Sequence, residues 1–194
     1  MKKIFLLLVL IIPMSAMAQA KFGLKGGLNL AKIHVSASSG GTSANVSSDN
    51  LTSFTAGLFL SSMINDKFGI QPELLYSGQG GSSSGSDLKL DYILLPVMLK
   101  FYAAENVTLQ AGPQLGILMG ANSGGQNIKD SMNSIDFDLN FGIGVELSGG
   151  TELGFRYVLG LANIVKDTGT GMSGVSITTT NQVMQFTVGF KLSK

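Results

Sequence analysis

The chain of 194 residues has no cysteine, a single histidine, His34, and charged side chains at only 13% of its positions. Without cysteine there are no disulfides, no thiolate nucleophile and no Cys-ligated metal site. The same lack excludes a lipid-anchored cysteine near the N-terminus. Lys plus Arg is 13 and Asp plus Glu is 12, and no basic patch or stripe suited to nucleic acid stands out. A soluble secreted domain carries about 25% charged residues, whereas here charge is sparse and the mean hydropathy is high at +0.32. Beyond the N-terminus, however, no segment has the roughly 20 apolar residues that a spanning helix needs.

The N-terminus has the pattern of an export signal. Met1-Lys2-Lys3 is basic, residues 4–12 are apolar, and Ala16-Met17-Ala18 is a small-x-small cleavage site. The apolar run is too short for a spanning helix. The expected organisation is a cleaved signal peptide at 1–18 and one domain at 19–194. Loss of Lys2 and Lys3 leaves 11 basic against 12 acidic residues, a net charge of −1.

What the chain does contain is alternation. From Ile135 to Leu147 every odd position is large and apolar, and every even position is polar, charged or Gly. A period of two belongs to a β-strand with two unlike faces. A tilted strand of about 9–11 residues crosses a bilayer. Similar runs occur at 21–33, 52–63, 68–77, 88–102, 107–120, 151–164 and 181–192. Short turns are expected at 64–67, 103–106 and 148–150. Polar, Ser/Gly/Thr-rich stretches at 34–51, 78–87, 121–134 and 165–180 read as long flexible loops. Short and long connections alternate, as they do in bacterial outer-membrane barrels with tight periplasmic turns. The expected fold is therefore all-β: an eight-stranded antiparallel up-and-down transmembrane β-barrel, closed between its first and last strands.

Several motifs carry a family resemblance. Residues 22–29 (FGLKGGLN), 68–77 (FGIQPELLYS), 90–96 (LDYILLP), 110–113 (QAGP) and 156–161 (RYVLGL) lie along the whole mature chain. In this order they resemble the Bacteroidetes PorT-like outer-membrane β-barrel family. The resemblance implies a barrel in the outer membrane. The family's namesake is implicated in secretion of cell-surface proteases, but no motif here distinguishes that subgroup. These barrels commonly end on an aromatic residue, whereas this chain ends Phe190-Lys191-Leu192-Ser193-Lys194.

The inward face of such strands carries charge. Lys25, Glu73, Lys100, Asp138, Glu146, Glu152, Arg156 and Lys191 all fall on it. An eight-stranded interior is just wide enough for side chains to fill, and unpaired buried charge is costly. These residues are expected to pair into a structural plug, with Gln71, Gln110, Gln114, Asn140 and Gln185 around them. Arg156 is expected to meet Glu73, Asp138, Glu146 or Glu152, and Lys100 or Lys191 to neutralise another acid. Outward aromatics such as Phe22, Phe68, Phe155 and Phe190 fit interfacial girdles.

Catalytic and metal-binding patterns are weak. His34 lies among serines near the start of the first long stretch, but a triad also needs a positioned acid. Asp136 and Asp138 share the inward face, yet calcium takes six to eight oxygens. The expected role is non-enzymatic, structural or surface-interacting, with no cofactor, catalytic or metal residue. The expected partners are outer-membrane lipid and the insertion machinery, and the expected state is a monomer. The alternatives are an enzyme with a site at the extracellular mouth, marked by a His, acid and nucleophile cluster, and a narrow pore, marked by an open lumen.

Overall fold

Alternating residues put one face of each strand in lipid and the other in the interior, and the backbone then closes a ring. The computed structural model describes residues 20–83, 86–166 and 175–192. Its strands are β1 (Lys21–Ser39), β2 (Thr42–Ser47), β3 (Leu51–Met63), β4 (Phe68–Ser83) and β5 (Ser86–Tyr102). They continue with β6 (Val107–Ser123), β7 (Gln126–Asn127), β8 (Ile135–Glu146), β9 (Thr151–Gly160) and β10 (Val175–Lys191). Eight of these, β1, β3, β4, β5, β6, β8, β9 and β10, pair antiparallel in chain order, and β10 pairs β1 to close the barrel. The signal peptide expected at 1–18 lies outside the described residues, as do 167–174 of the fourth expected loop.

The faces separate as the alternation requires. Leu28 and Phe137, 58% and 56% exposed to solvent, belong to an outward apolar belt that only lipid would cover. Outward rings meet across strands: Phe155 and Phe186 at 5.1 Å, Phe68 and Phe101 at 5.3 Å. Such pairs add to sheet stability. At the far end of β1 and β10 the outward positions become Lys32, His34 and Gln182, which marks the outer edge of the belt.

The expected long loops are partly sheet instead. β1 runs on to Ser39 and folds back as β2, while β4 and β5 continue to Ser83 and from Ser86. Ladder hydrogen bonds use backbone groups, so Ser, Thr and Gly extend a strand wherever a neighbouring strand offers a partner. At the β1–β2 turn, Gly40 and Gly41 have φ of 56° and 84°; Gly124 and Gly125, between β6 and β7, have 55° and 84°. Positive φ at both central residues is what a two-residue type I′ hairpin needs. Near the outer end of β6 the register shifts between Asp91 and Tyr92, leaving Met119 unpaired against β5. This bulge lets both Leu118 and Ala121 be buried.

Prolines interrupt three neighbouring seams. Pro has no N–H to donate to a ladder. The β3–β4 register lapses between Phe59↔Glu73 and Ser62↔Ile70, beside Pro72. The β4–β5 register lapses between Pro72↔Val97 and Leu75↔Leu94, opposite Pro96. The β5–β6 register lapses between Pro96↔Gln114 and Leu99↔Ala111, opposite Pro113.

Candidate functional site

The interior of the barrel is where the sequence concentrates its buried polar chemistry. Its inner end, on the side of the short turns, is a connected ion-pair network. The turn at Ser148–Gly150 is tight, with Leu147 N–H donating to the Thr151 carbonyl at 2.7 Å. It sets Glu146 opposite Glu152, and Gly142 opposite Arg156. Two neighbouring carboxylates of like charge need cations, and Lys100 supplies one from across the lumen. Its Nζ donates to Glu152 Oε2 at 2.8 Å, Glu146 Oε1 at 3.0 Å and Gln71 Oε1 at 3.1 Å. Lys191 Nζ donates to Glu146 Oε2, and the Tyr102 hydroxyl donates to Glu146 Oε1 at 2.8 Å. Gln110 Nε2 donates to Glu152 Oε1 at 3.2 Å.

Glu73 is the hub of the next level. Arg156 grips it with both nitrogens, at 3.0 Å to Oε2 and 2.9 Å to Oε1. Lys25 Nζ adds a bond to Oε1 at 2.7 Å, and Gln71 Nε2 another at 2.8 Å. The two-pronged guanidinium contact fixes geometry as well as charge. Lys25 also stands 5.2 Å from the centre of the inward Phe59 ring, within cation–π range. Gly142, opposite Arg156, contributes no side chain to this crowded level: an added Cβ there would come to 2.6 Å from the Phe155 carbonyl oxygen.

Among the residues singled out from the sequence, the structure brings Lys25, Glu73, Lys100, Glu146, Glu152, Arg156 and Lys191 into these two linked clusters. Arg156 takes Glu73, on the far wall, rather than Glu146 or Glu152 beside it in register. Asp138, expected in the same network, stands apart. It pairs with Gly160, four residues along β9 from Arg156, which is about 13 Å at strand rise. Its Oδ2 accepts instead from Gln114 Nε2 at 2.6 Å.

Further out, the lumen changes character. Asn29 Nδ2 donates to Ser77 Oγ at 2.9 Å and to the Gly78 carbonyl at 2.8 Å, while Gln185 Nε2 donates to Asn29 Oδ1 at 3.0 Å. Beyond this polar level, Ile33, Leu75, Leu90, Tyr92, Leu94, Leu118, Ala121, Met132 and Ile164 form a buried apolar cluster inside the half of the barrel opposite the short turns. The expectation named a plug of paired inward charges and amides, and it did not include this apolar cluster. Its signal was present in β5, where Leu90, Tyr92 and Leu94 are apolar or aromatic on the face that alternation assigns to the interior. With side chains on both faces apolar, such a strand suits a wall that has lipid on one side and a dry core on the other.

His34 lies on the outer face of β1. Its Nδ1 is 3.0 Å from Ser47 Oγ on β2, and no carboxylate is bonded to it among the described residues. The pair therefore lacks the acid that orients a catalytic imidazole.

Comparison with known proteins follows this architecture. The family model for the outer membrane protein beta-barrel domain matches residues 15–166. Among solved structures, the surface protein NspA of Neisseria is similar, with a TM-score of 0.53 at 18% identity, over 89% of this chain and 99% of that one. Ail, the attachment invasion locus protein of Yersinia pestis, has a TM-score of 0.40 at 14% identity, over 86% and 98% of the two chains. OprG of Pseudomonas aeruginosa has a TM-score of 0.42 at 13% identity, over 89% and 96%. No curated protein matches the chain.

Proposed function

Because the chain belongs to the outer membrane protein beta-barrel domain family, we propose that it acts as a closed, non-enzymatic barrel that presents its strand-built outer end at the cell surface. Its lumen is held shut and does not conduct. The observation that carries this reading is the shared grip on Glu73. Lys25 of β1 and Arg156 of β9 both reach the carboxylate of β4, so the chain's own side chains bridge the interior from wall to wall. The apolar cluster at the outer half supports the same reading, because a packed dry core leaves no path for hydrated ions. The surface role is supported by β2, exposed along its whole length, which sits beyond the apolar belt.

Several finer points belong to this proposal. They are a signal peptide at 1–18, a mature domain at 19–194, membership of the PorT-like branch of the Bacteroidetes barrels, a monomeric state, and assembly through the outer-membrane insertion machinery. The sequence motifs support the branch, and the basic-apolar-small N-terminal pattern supports the signal peptide and the export that assembly requires.

The test is conduction. The purified protein in planar bilayers is expected to give no steady single-channel steps. Arg156→Ala removes one of the bridging arms and is expected to open leak currents. Steady, ion-selective steps from the unmodified protein would overturn the closed reading and leave the narrow pore in its place.

A further inference from the structure

The charges inside the barrel do not balance level by level. In the inner-end network four cations, Lys25, Lys100, Arg156 and Lys191, meet three carboxylates, Glu73, Glu146 and Glu152. Above them Asp136 and Asp138 have no ion-pair partner among the described residues, yet they are only 2% and 3% exposed. Two uncompensated carboxylates in so dry a place carry a heavy desolvation cost.

The hydrogen bonds around them make the deficit specific. Asn181 Nδ2 donates to Asp136 Oδ2 at 3.2 Å and lies 3.4 Å from the Tyr92 hydroxyl. Gln114 Nε2 donates to Asp138 Oδ2, and Asn140 Nδ2 donates to Gln114 Oε1 at 3.3 Å. These bonds commit the amide nitrogens and fix which end of each amide remains. What remains are acceptors: Asp136 Oδ1, Asp138 Oδ1, Asn140 Oδ1 and Asn181 Oδ1 have no partner. Asn140 and Asn181 are completely buried. Natural interiors leave few such atoms, and here they come from neighbouring inward positions.

Glycines let the strands that carry them approach closely. Gly160 pairs with Asp138 on one side, and on the other a Cβ added to it would come to 2.5 Å from the Asn181 carbonyl oxygen. Asp138 and Asn181 thus flank a position that has no side chain. Gly116 is a second close approach, with Asp136 Cβ, Leu94 Cδ2 and Tyr92 Cδ1 each 3.3 Å from where its Cβ would stand. Tyr92 and Leu94 belong to the apolar cluster that roofs the site.

We propose that these oxygens bind a divalent cation, Ca²⁺ being the ion that the donor set fits. The two carboxylates supply a formal charge of −2. The donors are all hard oxygens, and Ca²⁺ accepts about six to eight of them in irregular geometry, the remainder being water. Thiolate- and imidazole-seeking metals find no ligand here, since the chain has no cysteine and His34 is on the outer wall.

The test uses the mature chain refolded from urea into a zwitterionic detergent free of lipopolysaccharide, with Ca²⁺ or with chelator, so that the ion is present as the barrel closes. Ca²⁺ at about a hundredfold its dissociation constant is expected to raise the thermal midpoint by about 5–10 °C. Asp136→Asn and Asp138→Asn are expected to abolish the rise. Equal midpoints with Ca²⁺ and chelator would overturn the proposal and leave the two carboxylates sharing a proton. So would a full rise in both variants, which would place the ion at surface carboxylates. If the variants fail to fold, Tb³⁺ luminescence of the unmodified chain reads the site through Tyr92. Emission displaced by Ca²⁺ and lost in Tyr92→Phe supports the site, and its absence overturns it.

Discussion

Glu73 is the acceptor on which two buried cations depend, and its removal is expected to cost more than the removal of either cation. Among the described residues, Lys25 and Arg156 find their only carboxylate hydrogen bonds on Glu73. Glu73→Ala therefore strands both, at side-chain exposures of 1% and 5%. Removing one partner of a buried pair costs about 3–5 kcal/mol, because the other charge is left uncompensated. With two cations stranded, Glu73→Ala is expected at or above the top of that range. Arg156→Ala leaves Glu73 held by Lys25 and Gln71, and Lys25→Ala leaves it held by Arg156. Each of these is expected to cost less, by about 1.5–3 kcal/mol, the worth of a charged hydrogen bond. The assay is equilibrium urea unfolding of the refolded barrel in lipid vesicles, with the double variant Glu73→Ala/Arg156→Ala closing a cycle. The double variant strands only Lys25, so it is expected to be more stable than Glu73→Ala alone. If Glu73→Ala costs under about 1 kcal/mol, the lumen solvates its cations with water and the argument from desolvation fails. If the double variant is the least stable of the set, the coupling is not electrostatic.

Two further expectations concern the outside of the barrel. Ile143, half exposed on the lipid face, and Leu58 are each expected to lose about 2–4 kcal/mol on replacement by Arg if they sit near the bilayer midplane; a negligible change in the same vesicle assay would mean the faces are inverted. Since the chain has no native cysteine, Ser43→Cys on β2 is expected to react with an impermeant maleimide on intact cells and Ser148→Cys is not, and the opposite pattern would reverse the orientation.

The wall was legible in the sequence because its code is local. Residues 135–147 announce both strand and face, and Asn65, in a short turn, accepts from the Lys67 and Phe68 N–H groups at 3.0 and 2.9 Å, as turn chemistry predicts. The outer strand extensions were not read, because their Ser, Thr and Gly side chains look like loop and their order comes from backbone pairing. The Gly40-Gly41 and Gly124-Gly125 pairs were the available clue. The lumen was legible as a set of inward charges, but not as a set of partners. Register gives neighbours along the wall, such as Glu146 and Glu152. It says nothing of who meets across the axis, which is how Arg156 reaches Glu73, 83 residues away, and how Asp138 stays apart.

The seam between β1 and β10 is paired without a lapse from Gly23↔Lys191 to Ser39↔Val175, whereas three seams in the middle of the chain are broken beside prolines. The best-zipped joint in the wall thus unites the two strands farthest apart in the chain. Local hairpins can form early, but this joint has to await the last strand, and contacts of such long separation make folding slow. Until then β1 and β9 each present a bare edge, the feature that invites pairing with another chain. A nascent or truncated chain without β10 is therefore the species most prone to aggregate, and amide exchange in the finished barrel is slowest along β1 and β10 and fastest beside Pro72, Pro96 and Pro113.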